Sequence, residues 1–322
     1  MRTKAKQIIV CVSLAMMNPA AFSQDSITDY DGNVYPTVSI GTQIWLKENL
    51  RSLHYSDGTD IPGVVAYNKL TGDIEWKTPN LGNETYVSPA IVKISGEDQV
   101  VMVTSSTNPF GHPEAVKTSG KIIGIEPLTG KVLWEYKNWE CHISVANAVE
   151  AGDNKLLVVG GYELGCVMIK VDKKSDGSFG VTELFRHNDF GDHTKPPILF
   201  NGYFYAQFST NGKRDGLVCM NMDGKIMWKT KNEPKFDKGS MILAEGLILA
   251  TDGANKLYLI EPDPAGFKSL ASADLLKQGG VNMSNRMTNF GGPTQNWAPL
   301  ALADGKLLIR DQSRMMCVKV AK

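Results

Sequence analysis

Beyond residue 62 the chain alternates short apolar runs with glycine-bearing polar turns, and the alternation recurs as a unit. Gly63-Val64-Val65-Ala66-Tyr67 leads into Thr71-Gly72-Asp73-Ile74-Glu75-Trp76. Gly120 to Ile125 leads into Thr129-Gly130-Lys131-Val132-Leu133-Trp134, and Gly216 to Met220 into Asp223-Gly224-Lys225-Ile226-Met227-Trp228. Each copy reads as a strand, a tight turn and a second strand that ends in tryptophan. Gly72, Gly130 and Gly224 supply the positive φ that the turn needs. Trp76, Trp134 and Trp228 are apolar wedges of the size that fills the gap between neighbouring sheets. Weaker copies are Cys166 to Val171 with Glu183-Leu184-Phe185, Lys256 to Ile260 with Phe267 to Leu270, and Met315 to Val320.

A second pair of strands precedes most copies. One starts near a serine or proline, as in Ser88 to Val92, Pro196 to Leu199 and Ser240 to Leu243. The next is a short apolar run, as in Val100 to Val103, Tyr203 to Phe208 and Leu247 to Ala250. Trp76, Trp134, Phe185, Trp228 and Leu270 then stand at equivalent places, 58, 51, 43 and 42 residues apart. Four short antiparallel strands per repeat of that length predict an all-β chain built as a β-propeller of four-stranded blades. The only stretch with a helical period is the short Ser272 to Lys277. The first unit supplies only its third and fourth strands, four complete units follow, and the last supplies three. The ring is therefore expected to be incomplete or open, with about five to six blades.

The first residues read differently. Arg2, Lys4 and Lys6 precede an apolar run from Ile8 to Met17, and Ala20-Ala21-Phe22-Ser23-Gln24 offers small residues for cleavage near Ser23 or Gln24. This is the pattern of a secretory signal peptide over residues 1–24. The run is too short to span a bilayer, and no later segment reaches that length. Val10 before Cys11 is too bulky for a good lipoprotein cleavage site, so a periplasmic or extracellular product is expected.

Charge and cysteines narrow the partners. The 34 basic and 34 acidic side chains balance, which removes the usual reason to expect nucleic acid or an anionic membrane surface. Cys141, Cys166, Cys219 and Cys317 have no CxxC or metal-ligand spacing. The last three fall in equivalent strands of separate repeats, too far apart to bridge, so buried free thiols are expected.

The TGxxxW repeat resembles the PQQ-like, or quinoprotein-type, β-propeller repeat over about residues 63–322. That group includes quinoprotein dehydrogenases and an outer-membrane assembly lipoprotein. The stretches Thr28 to Tyr35, Val38 to Arg51 and His54 to Pro62 closely resemble the opening of the FISUMP "major paralogous" domain of secreted bacterial proteins. The division expected is a FISUMP-like segment over 25–62 and the propeller over 63–322. Both patterns are cut at this junction, which reads as a fusion left by an in-frame deletion or as an incorrectly joined gene. Val34 to Ile40 and Gln43 to Glu48 pair as a hairpin around Gly41-Thr42, a candidate replacement for the missing strands of the first blade.

The quinoprotein resemblance implies pyrroloquinoline quinone with calcium as one possible cofactor set. Such dehydrogenases need a carboxylate base, a calcium site and a stacking platform of adjacent cysteines and a tryptophan. This sequence has no adjacent cysteine pair and no assignable base, and its non-repeat tryptophans in the propeller portion are Trp139 and Trp297. Asp172, Asp176 and Glu183 stand at calcium-loop spacing, but Lys174 occupies a ligand position and Lys-Ser-Asp-Gly-Ser is good turn chemistry. His142, His187 and His193 lack a zinc spacing. No nucleophile elbow or phosphate loop occurs.

Position within the blade supplies the remaining candidates. Residues just before each first strand rim one face of a propeller. These are Tyr86, His142, His193, Lys238 and Trp297, with Asn147 and Asn296 nearby. The expectation is a non-catalytic, secreted binding or scaffolding module of the cell envelope, without cofactor or metal, whose partner is an envelope protein or glycan. The alternative is a quinone-dependent dehydrogenase or an inactive descendant of one.

Overall fold

The computed structural model describes residues 26–40, 43–46, 52, 54–83, 85–106, 119–209, 214–276, 296–311 and 314–320. The signal-peptide reading over residues 1–24 lies outside them, as does His112. The chain divides into two compact units, 1–61 and 62–322.

In the first unit, β1 (Ser26–Thr28), β2 (Val34–Ile40) and β3 (Gln43–Leu46) form one antiparallel sheet. Ile40 pairs with Gln43, so the hairpin forms as the alternation predicts. It does not replace the missing strands of the first blade, because its sheet and that of β4–β5 are separate. Asp29 organises the turn into β2. Its carboxylate accepts from Asn33 N–H (2.8 Å), Tyr35 Oη (2.6 Å) and Ser52 Oγ (2.5 Å). Although desolvation opposes ionisation, these bonds together hold the carboxyl well below the usual range.

The second unit is all strand and turn among its described residues. A two-stranded sheet, β4 (Val65–Tyr67) and β5 (Ile74–Lys77), comes first. Four four-stranded meanders follow. The first is β6 (Ala90–Ile94), β7 (Glu97–Val103), β8 (Gly120–Ile125) and β9 (Val132–Trp139). The second is β10 (Val149–Glu150), β11 (Lys155–Gly160), β12 (Gly165–Lys173) and β13 (Phe179–His187). The third is β14 (Ile198–Phe200), β15 (Tyr203–Ser209), β16 (Arg214–Asn221) and β17 (Ile226–Lys229). The fourth is β18 (Met241–Ala244), β19 (Leu247–Thr251), β20 (Lys256–Glu261) and β21 (Lys268–Asp274). A three-stranded sheet, β22 (Ala301–Ala303), β23 (Lys306–Arg310) and β24 (Met315–Lys319), ends the array. These are the propeller blades the repeat predicts, partial at both ends.

Apolar residues lie between consecutive sheets rather than in one central core. Ile94, Val101 and Trp134 of one blade pack with Val158, Val167 and Val171 of the next. Leu157, Val159 and Met168 pack with Phe204, Val218 and Met220. Tyr205 and Cys219 pack with Ile248 and Ile260, and Leu249 and Leu257 with Leu307 and Ile309. In the four-stranded blades the middle strands are covered on both faces, which is why they read as nearly continuous apolar runs.

The register exposes a device the repeat pattern hides. The strand that ends each meander, and β5 likewise, carries a β-bulge just before the tryptophan position. The bulged residues are Glu75, Leu133, Leu184, Met227 and Leu270. The residues that resume pairing are Trp76 opposite Ala66, Trp134 opposite Gly124, Phe185 opposite Met168, Trp228 opposite Cys219, and Ala271 opposite Leu259. Leu270 is therefore not the last equivalent of the tryptophan, as its hydrophobicity suggests. Ala271 is, and Leu270 is displaced by one residue because the bulge inserts it. Ser272 to Asp274, which the helical period of 272–277 would place in a helix, belong to β21. β21 is exposed along its whole length and pairs with β20, so no buried stripe marks its period.

Candidate functional site

The connections that enter each blade are held by side-chain hydrogen bonds to the blade before. Ser144 N–H donates to Ser105 Oγ (3.0 Å), and the Ser144 carbonyl accepts from Tyr86 N–H (3.2 Å) and from Thr85 Oγ1. Gly239 N–H donates to Gln207 Oε1 (2.8 Å), whose Nε2 donates to the Thr251 carbonyl (2.8 Å). Leu300 N–H donates to Ser240 Oγ (3.1 Å). Loops pinned in this way present their side chains from a rigid frame, which lowers the entropy lost on binding.

These loops bring most of the predicted residues together. The His142 ring lies 4.7 Å from that of Tyr162, and Tyr162 lies 4.4 Å from His193, centroid to centroid. Tyr86 is 79% exposed and close enough to help raise the Tyr162 hydroxyl, after burial and Cys141. At the other end of the row, Lys238 Nζ stands 5.3 Å from the centre of the Trp297 ring, a cation–π distance. It also pairs with Asp237 at 3.0 Å. His193 links the two ends. Burial lowers its basicity first, and the Lys238 charge, despite Asp237, lowers it further, which favours the neutral imidazole.

Tyr162 was not among the residues singled out from sequence. It sits in the β11–β12 turn with φ of 53°, not in a connection before a first strand. The signal that marks it is a bulky aromatic in the Gly160-Gly161-Tyr162-Glu163 turn, where small polar residues normally serve. Gly161 makes the approach possible, since a Cβ there would lie 2.7 Å from the His193 ring. Asn147 is half-buried in the connection that also carries His142. Asn296, expected on the face, is wholly buried; its N–H donates to the Gly253 carbonyl (3.0 Å), and among the described residues its side-chain amide has no hydrogen-bond partner.

A second polar centre lies beside the row. Asp192 is fully buried and accepts from Thr194 N–H (2.8 Å) and Lys195 N–H (2.9 Å). Burial outweighs these bonds and pushes its carboxyl up to about 7. Lys195 Nζ donates to the Trp297 carbonyl at 3.0 Å and so ties the β14 and β22 connections together.

The calcium-spaced acids go to three different places. Asp172 on β12 pairs with Lys170 at 2.9 Å, Asp176 accepts from Ser178 within the β12–β13 turn, and Glu183 on β13 pairs with Arg186. Among the described residues no group of three His, Cys, Asp or Glu side chains is placed to hold a metal ion. Cys141, Cys166 and Cys219 are buried free thiols, whereas Cys317 is free but exposed. Cys317 stands opposite exposed Leu308, on the face of the last sheet turned away from the cluster that Leu307, Ile309, Met316 and Val318 form with the blade before.

The repeat glycines and tryptophans are structural. Gly72, Gly130 and Gly224 have φ of 80°, 74° and 84°. Trp76 and Trp228 each donate an indole N–H to a carbonyl in the last turn of the following blade, Pro127 at 2.9 Å and Asp263 at 2.8 Å. Trp134 packs over Gly124 of its own sheet and donates to buried Gln99 Oε1 at 2.7 Å.

A PQQ-like repeat model, described as outer membrane protein assembly factor BamB, matches residues 37–175. Those residues carry PQQ-like propeller repeats. The match begins in β2, ahead of the expected boundary at 62/63, and ends in the β12–β13 turn, and no comparison supports a FISUMP-like segment. No curated protein matches the chain. Among solved structures, BamB from Moraxella catarrhalis aligns over 79% of this chain and 77% of its own, at 13% identity and a TM-score of 0.39. No helix among the described residues is long and apolar enough to cross a membrane.

Proposed function

We propose that the protein is a secreted, non-catalytic binding module of the cell envelope, and that it grips an envelope protein through the face bearing Tyr86, His142, Tyr162, His193, Lys238 and Trp297. The observation that carries this reading is the continuous contact of His142, Tyr162 and His193 on loops pinned to neighbouring blades. Aromatic side chains on a rigid frame are the residues that dominate protein interfaces. The description of the matching family as an outer-membrane assembly factor supports an envelope setting. On this reading no cofactor takes part, the signal peptide is removed near Ser23 or Gln24, and residues 25–62 form a separate FISUMP-like module ahead of the propeller. The division of the chain between Ile61 and Pro62 supports a separate N-terminal unit.

The test is a photo-crosslinker at Tyr86 in cells that express the full chain. The expected result is a discrete adduct with an envelope protein, lost when Tyr162→Ala is added. An adduct with glycan alone, an adduct indifferent to Tyr162→Ala, or dye-linked oxidation of alcohols or sugars on addition of quinone and calcium would each overturn it.

A further inference from the structure

The first unit contains a histidine held between two carboxylates. His54 Nδ1 lies 2.5 Å from Asp31 Oδ1, and His54 Nε2 lies 3.0 Å from Asp60 Oδ1. The His54 backbone N–H also donates to Asp31 Oδ2, at 3.2 Å. Asp31 belongs to the turn between β1 and β2. Asp60 lies at the far end of the turn that His54 begins, and the two residues form an isolated antiparallel bridge. Within that turn Tyr55 N–H donates to the Thr59 carbonyl (2.7 Å), Gly58 N–H donates to the Tyr55 carbonyl (2.9 Å), and Asp57 accepts from Thr59. The Tyr30 ring lies 5.5 Å from the imidazole and closes over Gly58, where a Cβ would meet its hydroxyl at 2.8 Å.

A carboxylate only accepts hydrogen bonds. A neutral imidazole has a single N–H, and the imidazolium has two. Both bonds of this geometry therefore exist together only when His54 is protonated. Among the described residues the ionised groups facing the ring are Asp31 and Asp60, and the tyrosine against it is Tyr30. All of them favour, or tolerate, the cation.

We infer that His54 is a pH-sensitive latch that fastens the 54–60 turn onto the β1–β2 turn and releases it as the medium becomes alkaline. Loss of one proton removes one of the two bonds and the charge that draws the carboxylates together. The hydrogen bond to Asp31 is the largest cause; desolvation opposes it, and the charges of Asp31 and Asp60 add to it, so the basicity of His54 is raised. The sign follows from linkage. A group made more basic by folding stabilises the fastened state below its ordinary range, and that contribution is lost as pH rises through its raised value.

The experiment uses the full chain, with NMR titration of the histidine imidazoles and amide hydrogen exchange across pH. His54 is expected to titrate above its ordinary value of about 6.5. The opening constant at the Tyr55 and Gly58 amides should rise by about tenfold per pH unit between the free and fastened values, beyond intrinsic base catalysis. In Asp60→Asn, both the titration and the opening should move to lower pH. In His54→Gln, opening at these amides should be independent of pH. A His54 that titrates at or below its ordinary value, or an Asp60→Asn protein with unchanged titration and exchange, would overturn the inference.

Discussion

Trp76 lies flat against Gly130 of the following blade, and a Cβ on that glycine would stand 2.5 Å from the indole ring. The contact recurs two blades on, where Phe185 covers Gly224. Turn and wedge are thus two halves of one joint. The glycine is needed for its positive φ and for the absence of a side chain under the ring of the preceding sheet.

Gly130→Ala should lower stability through both effects. Left-handed backbone costs an L-residue about 1–2 kcal/mol, and overpacking against the indole adds about 1–3 kcal/mol. Gly177 holds the same turn position with φ of 83° but has nothing within 4 Å of a Cβ. Gly177→Ala should show the first cost alone. Urea denaturation of the two variants checks the difference.

Trp134→Phe should cost more than the loss of one hydrogen bond. Gln99 is wholly buried and its Nε2 has no partner among the described residues, so removal of the indole N–H also strands Oε1. The expected penalty is about 1–3 kcal/mol. Adding Gln99→Met should recover much of it, because no polar atom then remains to be satisfied. A double-mutant cycle on thermal stability measures the recovery.

Asp192 should make the fold less stable as pH rises. Burial raises its carboxyl to about 7 in the folded chain, above the ordinary 3.8. Its contribution is therefore full below about pH 4 and is lost as pH rises towards 7, with a slope of up to about 1.4 kcal/mol per pH unit. Asp192→Asn mimics the neutral acid. The stability of the variant relative to the parent should be greater at pH 8 than at pH 5, and paired urea melts decide it. Equal differences at the two pH values would show that Asp192 ionises freely in the fold.

Thiol reactivity should separate the cysteines of the second unit. Cys317 is exposed, whereas burial pushes Cys166 up to about 12 and Cys219 up to about 11, and raises Cys141 as well. Brief alkylation of the native protein, mapped by mass spectrometry, should modify Cys317 and spare the other three until denaturant is added.

Local pattern was enough for the all-β class and the blade repeat. It was also enough for the two strands that open the array, the three that end it, and the β2–β3 hairpin. All of these rest on period-two alternation, on runs buried on both faces and on turn glycines, and a chain carries those signals at short range. The bulge before each tryptophan position was not legible, because an inserted residue changes pairing without changing composition. That is how Leu270 took the place of Ala271.

The direction of the wedges also needed the folded chain. β8 ends at Ile125, one residue past Gly124, so Pro127 and Gly130 sit where Trp76 reaches them. β12 runs on to Lys173, five residues past Met168, and Phe179 and Val181 from that longer hairpin pack into the cluster that holds Trp134. Trp134 accordingly finds its acceptor in Gln99.

The proposed face shows the same division. Tyr86, His142, His193, Lys238 and Trp297 could be proposed from sequence because each lies in the connection that leads into a first strand. Tyr162 lies in a different turn, and only the packing of one blade on the next carries its ring between two histidines contributed by separate connections. The opposition of His54 to Asp31 and Asp60 is of the same kind. Sequence determined which segments become strands and turns, since those depend on neighbours along the chain; which side chains meet depends on distances across it, and tertiary structure alone decided that.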